Sequence, residues 1–227
     1  MFTTSPDERA YGLLSNHRST SSAPQTKWDV VPSNLTSLAT YLNRLFDVYS
    51  RLLVIRIDLH FDYDYDAWWD ITIAKKHLND LFNNMRHNML FKHKVGYVWK
   101  LEHGQSRGNH FHVVLFFDGH YVQRDEWLSH QICRYWADVI TKGYGTFDNC
   151  NANKDRYTNP CTGLIDYHAT AKRQCLLHAL SYLAKEDDTI RQLHRPSESD
   201  RLRTFGHGSR PPLPASKMGR PRQRRQV

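Results

Sequence analysis

Residues 95–117 read VGYVWKLEHGQSRGNHFHVVLFF, and the fold turns on how this stretch pairs with itself. Val95 to His103 alternates as a strand, with Tyr97, Trp99 and Leu101 on one face and Val98, Lys100 and Glu102 on the other. His110 to Phe117 is an apolar run that reads as a buried strand. It puts His110 and His112 on one face and Phe111, Val113, Leu115 and Phe117 on the other. Between the two lies Gly104-Gln105-Ser106-Arg107-Gly108, a short Gly-bounded loop suited to a hairpin. Symmetric closure sets Glu102 opposite His110 and Lys100 opposite His112.

That register has a chemical consequence. Two imidazoles two residues apart on one strand face are about 7 Å apart, and directly opposed Cβ atoms across a ladder are about 4.5–5.5 Å apart. Glu102, His110 and His112 therefore converge as a carboxylate and two imidazoles suited to one divalent ion. His103 is the rival third ligand, because a bulge that shifts the register by one residue would bring it to the same face. A single histidine in a core strand is ordinarily a hydrogen-bonded core residue; two at period 2, behind a polar loop, point to metal.

Other segments arrange around the hairpin. Arg51 to Phe61 reads as a strand with Ile55, Ile57 and Leu59 on one face and Arg56, Asp58 and His60 on the other. If the second face carries the site, Asp58 and His60 are candidates to assist the metal or orient a water. Thr170 to Lys185 reads as a helix with an apolar stripe of Leu176, Leu180, Leu183 and Ala184. At 100° per residue His178, Tyr182 and Lys185 gather on the opposite side, which leaves Tyr182 accessible. Helical spacing is also expected over Asn34–Tyr49, Ile71–Met89 and Val122–Thr141, whereas Gly143–Thr162 reads as a loop, followed by a strand near Leu164–His168. The order β-α-β-β-α predicts an α+β fold. Its expected form is an antiparallel sheet of about five strands with packed helices, of the ferredoxin-like or RRM-like kind.

Composition sets outer bounds. The chain has 227 residues, 40% of them hydrophobic, with 31 Lys+Arg against 23 Asp+Glu and a formal net charge of +8. One substantial domain with tails is expected, and the basic surplus favours a polyanionic partner. Residues 1–30 read as a flexible segment, 31–208 as the domain and 209–227 as a basic, unstructured tail. In that tail Arg220, Arg222, Arg224 and Arg225 are candidates for phosphate contacts. Cys133, Cys150, Cys161 and Cys175 form no Cys-x-x-Cys pair and read as reduced thiols, without a structural zinc site. With no signal-peptide pattern and no apolar run of membrane-spanning length, the expected location is the bacterial cytoplasm.

Taken in chain order, the strand Arg51–Phe61, Glu102 with His110-Phe111-His112, and Tyr182-Leu183-Ala184-Lys185 resemble the three motifs of the HUH endonucleases. The resemblance is nearest to replication initiators of filamentous phages and their prophage relatives, a group that includes the YagK/YfjJ-like proteins. It runs from about Leu52 to Gly208 and takes in Arg203-Thr204-Phe205-Gly206. The resemblance implies a rolling-circle initiator that nicks and rejoins single-stranded or extruded origin DNA, working with host replication proteins. In that scheme Glu102, His110 and His112 hold Mg²⁺ or Mn²⁺, which polarises the scissile phosphate. Tyr182 attacks to form a 5′-phosphotyrosine, and Lys185 assists the phenol or clamps the phosphate. Asp58, His60 and His178 are the supporting candidates, and Trp68, Trp69, Tyr97 and Trp99 are candidates to stack on unpaired bases. Some phage-type subfamilies carry two tyrosines on the nucleophile helix. Here that face shows only Tyr182, since Tyr167 lies outside it.

Two other readings remain open at the level of sequence. A catalytically inactive DNA-binding regulator with the same fold would have the same composition. A cupin-like metalloenzyme also uses His-x-His on a strand, but three long helical patterns and the lack of a glutamate shortly after His112 argue against it. A His-x-His-x-Asp-His hydrolase is disfavoured because Val114 to Phe117 occupy the positions of its further ligands.

Overall fold

The computed structural model describes residues 29–156, 161–186, 189–190 and 202–212. The expected segment 1–30, nearly all of it, and the arginines of the tail, Arg220, Arg222, Arg224 and Arg225, lie outside the described residues.

The order is α1 (Pro32–Val48), β1 (Arg51–Phe61), α2 (Ile71–Asn84), β2 (Lys94–Gly104), β3 (Gly108–Asp118), α3 (Asp125–Tyr135), β4 (Gly145–Asn149), β5 (Gly163–Asp166), α4 (Thr170–Ser181) and β6 (Phe205–His207). The fold is α+β, as predicted, with a six-stranded sheet in the order β4-β1-β3-β2-β6 and β5 paired to β1. Every strand pairing is antiparallel. From β1 to β4 the order is β-α-β-β-α-β with β3 inserted between β1 and β2, the split βαβ arrangement of ferredoxin-like folds.

Alternation in the central strands builds two cores. Odd-numbered residues of β1 and β3, including Ile55, Ile57, Phe111 and Val113, pack with Leu78 and Leu81 of α2 and Leu128 and Ile132 of α3. The even-numbered face pairs Leu52, Val54, Val114 and Phe116 with Leu38, Leu42 and Leu45 of α1 and Leu176, Leu180 and Leu183 of α4. Each fully buried leucine contributes about 1.5–3 kcal/mol relative to exposure. The even face is apolar toward one end of the strands only; toward the other it carries Asp58, His60, Lys100, Glu102, His110 and His112, all buried. α1 and α4 therefore cover the sheet face that bears the polar cluster.

Several boundaries differ from the sequence reading. α2 stops at Asn84 rather than Met89, because Asn83, Asn84 and Asn88 are weak helix formers and Asn88 instead caps a short 3₁₀ turn over Met89–Phe91. At its start, the Asp70 side chain accepts from the Thr72 and Ile73 amides. α3 widens into a π turn over Trp136–Ile140 and ends with Lys142 and Gly143 at positive φ.

The stretch expected as a loop, Gly143–Thr162, contains β4. Its residues Gly145-Thr146-Phe147-Asp148-Asn149 lack an apolar alternation, since it is a sheet-edge strand held by the backbone of β1. β4 pairs with residues 57–61 of β1 and β5 with residues 51–54, so both share one edge. In the gap, fully buried Asn151 stands in for a strand. Its Oδ1 accepts from the Arg56 amide at 2.8 Å and its Nδ2 donates to the Val54 carbonyl at 3.1 Å.

The cysteines also differ from expectation. Cys161 and Cys175 are joined as a disulfide with Cα atoms 5.9 Å apart, whereas Cys133 and Cys150 are buried thiols outside that bridge. The bridged cysteines are 14 positions apart in the chain, so their meeting follows from α4 folding back beside the segment that enters β5. The bridge withdraws the cysteines as an argument for a reducing compartment. No helix among the described residues is long and apolar enough to cross a membrane.

Candidate active site

The β2–β3 register sets Glu102 opposite His110 and Lys100 opposite His112. The irregularity in this pair lies at Lys94/Gly96, far from the hairpin tip, so nothing shifts Glu102 off the face. His103 is opposite Asn109, and its Nδ1 lies 2.9 Å from the Asn109 side-chain oxygen. Of the two rival third ligands, Glu102 is the one that joins the histidines. One ligand atom from each of Glu102, His110 and His112 lies within 4.8 Å of the others, and all three residues are buried.

The histidines are set up by their outer nitrogens. His110 Nδ1 donates to the Gly108 carbonyl at 3.0 Å, which leaves its Nε2 lone pair facing Glu102 at 4.0 Å. His112 Nδ1 lies 2.8 Å from Asp58 Oδ1, and its Nε2 lies 3.6 Å from Glu102 Oε2. The Asp58 contact is off the hydrogen-bond direction and counts as a charge pair. Orientation of a ligating imidazole by a carbonyl or carboxylate on its far nitrogen is the usual outer shell of a metal site. Arg56 is 3.6 Å from Asp58 and adds positive charge behind it.

The electrostatics are those of a buried charge cluster. Burial alone would raise both carboxylates, yet His112 and Arg56 hold Asp58, and His112, Lys185 and His110 hold Glu102, well below the usual carboxylate range. Burial likewise lowers a histidine, and with His112 and His60 nearby it brings His110 to about 3. For His112, Asp58 and Glu102 overcome burial and raise it to about 9. Glu102 Oε1 is buried without a hydrogen-bond partner among the described residues, an acceptor left over for a cation. The carboxylate and two imidazoles could hold a metal ion.

Tyr182 enters the group from α4. The helix tightens at Ser181 into a 3₁₀ turn over Tyr182–Ala184, and in that geometry residues three apart eclipse. Lys185 consequently stands over Tyr182, its Nζ 2.6 Å from the phenolic oxygen and 4.0 Å from the ring centroid. The Tyr182 hydroxyl donates to Glu102 Oε2 at 3.0 Å, and Lys185 Nζ is 3.2 Å from the same atom. Tyr182 is partly buried, and its ring meets His112 edge-on at 5.8 Å.

Sequence reading missed what holds this turn. Lys100 is 1% exposed, and its Nζ donates to the Lys185 carbonyl at 2.9 Å. The chain entering α1 pins the turn from outside, with Val31 N donating to Ala184 O at 3.0 Å and Glu186 N to Asp29 O at 2.9 Å. A lysine facing a histidine across a strand pair was the one available hint.

The supporting candidates divide. Asp58 sits against His112, and the His60 ring stacks on His110 at 5.4 Å with its Nε2 3.6 Å from Asp148. His178 is exposed on α4, and among the described residues no contact joins its side chain to the group. His178 lies on the α-helical part of α4, whereas Tyr182 opens the 3₁₀ turn and Lys185 is its extended C-cap. Of the stacking candidates, Tyr97 packs on Phe82 and Trp99 is a core residue, whereas Trp68 and Trp69 lie at the hairpin end.

The family model of the YagK/YfjJ C-terminal domain matches residues 16–208. The chain belongs to this family. Its match encloses every residue of the cluster, from Asp58 to Lys185, and excludes the arginines of the tail. No curated protein and no solved structure matches this YagK/YfjJ-family chain.

Proposed function

We propose that this YagK/YfjJ-family domain is a metal-dependent nicking and joining enzyme of the HUH type that acts on single-stranded or extruded DNA as a rolling-circle replication initiator. One observation carries the reading. A tyrosine hydroxyl and a lysine ammonium meet on the carboxylate that also faces two histidines. Glu102, His110 and His112 would hold Mn²⁺ or Mg²⁺, which when bound supplies charge neutralisation at a phosphate.

The chain's own groups do the rest. The Tyr182 oxygen attacks phosphorus while its proton leaves along the hydrogen bond toward Glu102. Lys185, 2.6 Å away, balances the charge that develops on the phenolic oxygen. The bond from phosphorus to the 3′-oxygen breaks, and that oxygen takes the electron pair and the proton that Tyr182 released, relayed by Glu102. The 5′-phosphotyrosine retains the diester, so a 3′-hydroxyl can attack it and restore the strand. Asp58 and Gly108 orient the imidazoles, and Lys100 holds the turn that carries Lys185.

The test is strand cleavage of labelled single-stranded oligonucleotides in Mn²⁺. The reading expects a polymerase-extendable 3′ end and a 5′ end blocked to kinase, both lost in Tyr182→Phe. A 5′-phosphate end from simple hydrolysis would overturn it.

A further inference from the structure

We infer that the aromatic turn between β1 and α2 is a stacking seat for an unpaired nucleobase of the strand whose phosphate lies at the Glu102 group, an inference that rests on the nicking reading above. Three rings cluster there, with Tyr63 5.3 Å from Trp68 and 5.4 Å from Trp69, and the two indoles 6.2 Å apart. Tyr63 is 61% and Trp69 57% exposed. Large rings left in water on a braced turn mark a binding surface more often than a packing defect.

The turn is fastened to the candidate active site. The Trp68 ring lies against Gly108, where an added Cβ would collide with it, and the Gly108 carbonyl is the acceptor of His110 Nδ1. Asn109 Nδ2 donates to the Ala67 carbonyl at 3.1 Å. Gly108 and His110 are two residues apart on β3, about 7 Å along a strand, so the seat faces the nucleotides flanking a phosphate at the cluster. Trp68 itself is 8% exposed, and its Nε1 is buried without a partner among the described residues. An acceptor on a bound base would supply that partner.

Charge selects the base rather than the backbone. Residues 62–70 read DYDYDAWWD, and Asp62, Asp64 and Asp66 are exposed beside the rings. Carboxylates there repel a phosphate and accept from the exocyclic amino groups of bases. The phosphate is left to Lys185 and the metal ligands.

The experiment uses the full chain with a fluorescent mixed-sequence single-stranded 20-mer, the same sequence as a duplex, and Mn²⁺ alone. The Tyr63→Ala/Trp69→Ala variant is expected to bind the single strand about 5- to 150-fold more weakly, the range for losing one base stack. Its duplex and Mn²⁺ affinities should equal those of the wild type. Trp68→Phe keeps a ring, removes the N–H, and should weaken single-strand binding severalfold. Wild-type single-strand affinity in the double variant overturns the seat, even where a Tyr182 adduct still forms. Ring-dependent binding with no adduct in the wild type supports the seat and overturns the nicking reading. Failure of the wild type to bind single strands overturns both.

Discussion

The Tyr182 hydroxyl donates to Glu102 Oε2 at 3.0 Å, so the proposed nucleophile is hydrogen-bonded directly to a proposed metal ligand. The other carboxylate oxygen is buried without a partner among the described residues. Glu102 thus belongs to both halves of the site. Glu102→Gln is expected to lower Mn²⁺ affinity at least tenfold and to abolish cleavage, with single-strand affinity largely kept. Calorimetric Mn²⁺ titration checks the first and a denaturing gel the second.

Asp58 reaches the metal position only through His112. Removing an outer-shell carboxylate of this kind ordinarily costs 10- to 100-fold in metal affinity. Asp58→Asn should fall in that range and retain the fold. Unchanged Mn²⁺ affinity would remove Asp58 from the site.

Lys185 contacts Tyr182 and Glu102 without being a ligand candidate. Lys185→Met is expected to slow cleavage by about 10²–10³, the range for losing one preorganised donor at developing charge, while Mn²⁺ affinity stays within a few fold. Single-turnover rates measured at saturating Mn²⁺ would show this. An equal loss of both quantities would make Lys185 a support of the metal ligands instead.

Stability of the metal-free protein should vary with pH in a window set by His112. Its folded value is raised to about 9, above the ordinary 6.5. The stabilisation is therefore fully present below about 6.5 and is lost as pH rises through about 9. His110 is lowered to about 3 and works the other way, but only below 6.5, which leaves the upper window to His112. Denaturant midpoints in chelator should fall between pH 6.5 and 9. Added Mn²⁺ should reverse that slope, because the ligands bind deprotonated. A flat midpoint in chelator over this window would contradict the ion pairs around His112.

Asn151 supplies the backbone of β1 with the partners that β4 and β5 do not reach. Asn151→Ala leaves a buried amide and a buried carbonyl unpaired, at about 1–3 kcal/mol for each. Urea denaturation should register about 2–6 kcal/mol of destabilisation. A change under 0.5 kcal/mol would mean that water replaces the side chain.

The parts of this fold that were legible in sequence are those where side-chain alternation and burial agree. β1 has the bounds Arg51–Phe61 expected of it, and the hairpin holds Glu102 opposite His110 because Gly104 and Gly108 close it symmetrically. β4 was not legible, because an edge strand with the sequence Gly-Thr-Phe-Asp-Asn is specified by a partner's backbone rather than by its own pattern. Ideal helical geometry gathered His178 with Tyr182 and Lys185, whereas the 3₁₀ turn keeps only the last two together. The Cys161–Cys175 bridge and the grip of Lys100 on the Lys185 carbonyl depend on contacts between distant segments. No local pattern announces them.

The most direct measurement is peptide mass spectrometry of the full chain after incubation with Mn²⁺ and a pool of single-stranded oligonucleotides. The account predicts a nucleotide adduct on the peptide containing Tyr182, absent with chelator and in Tyr182→Phe. Single-strand binding with no adduct, or an adduct on another residue, would contradict it.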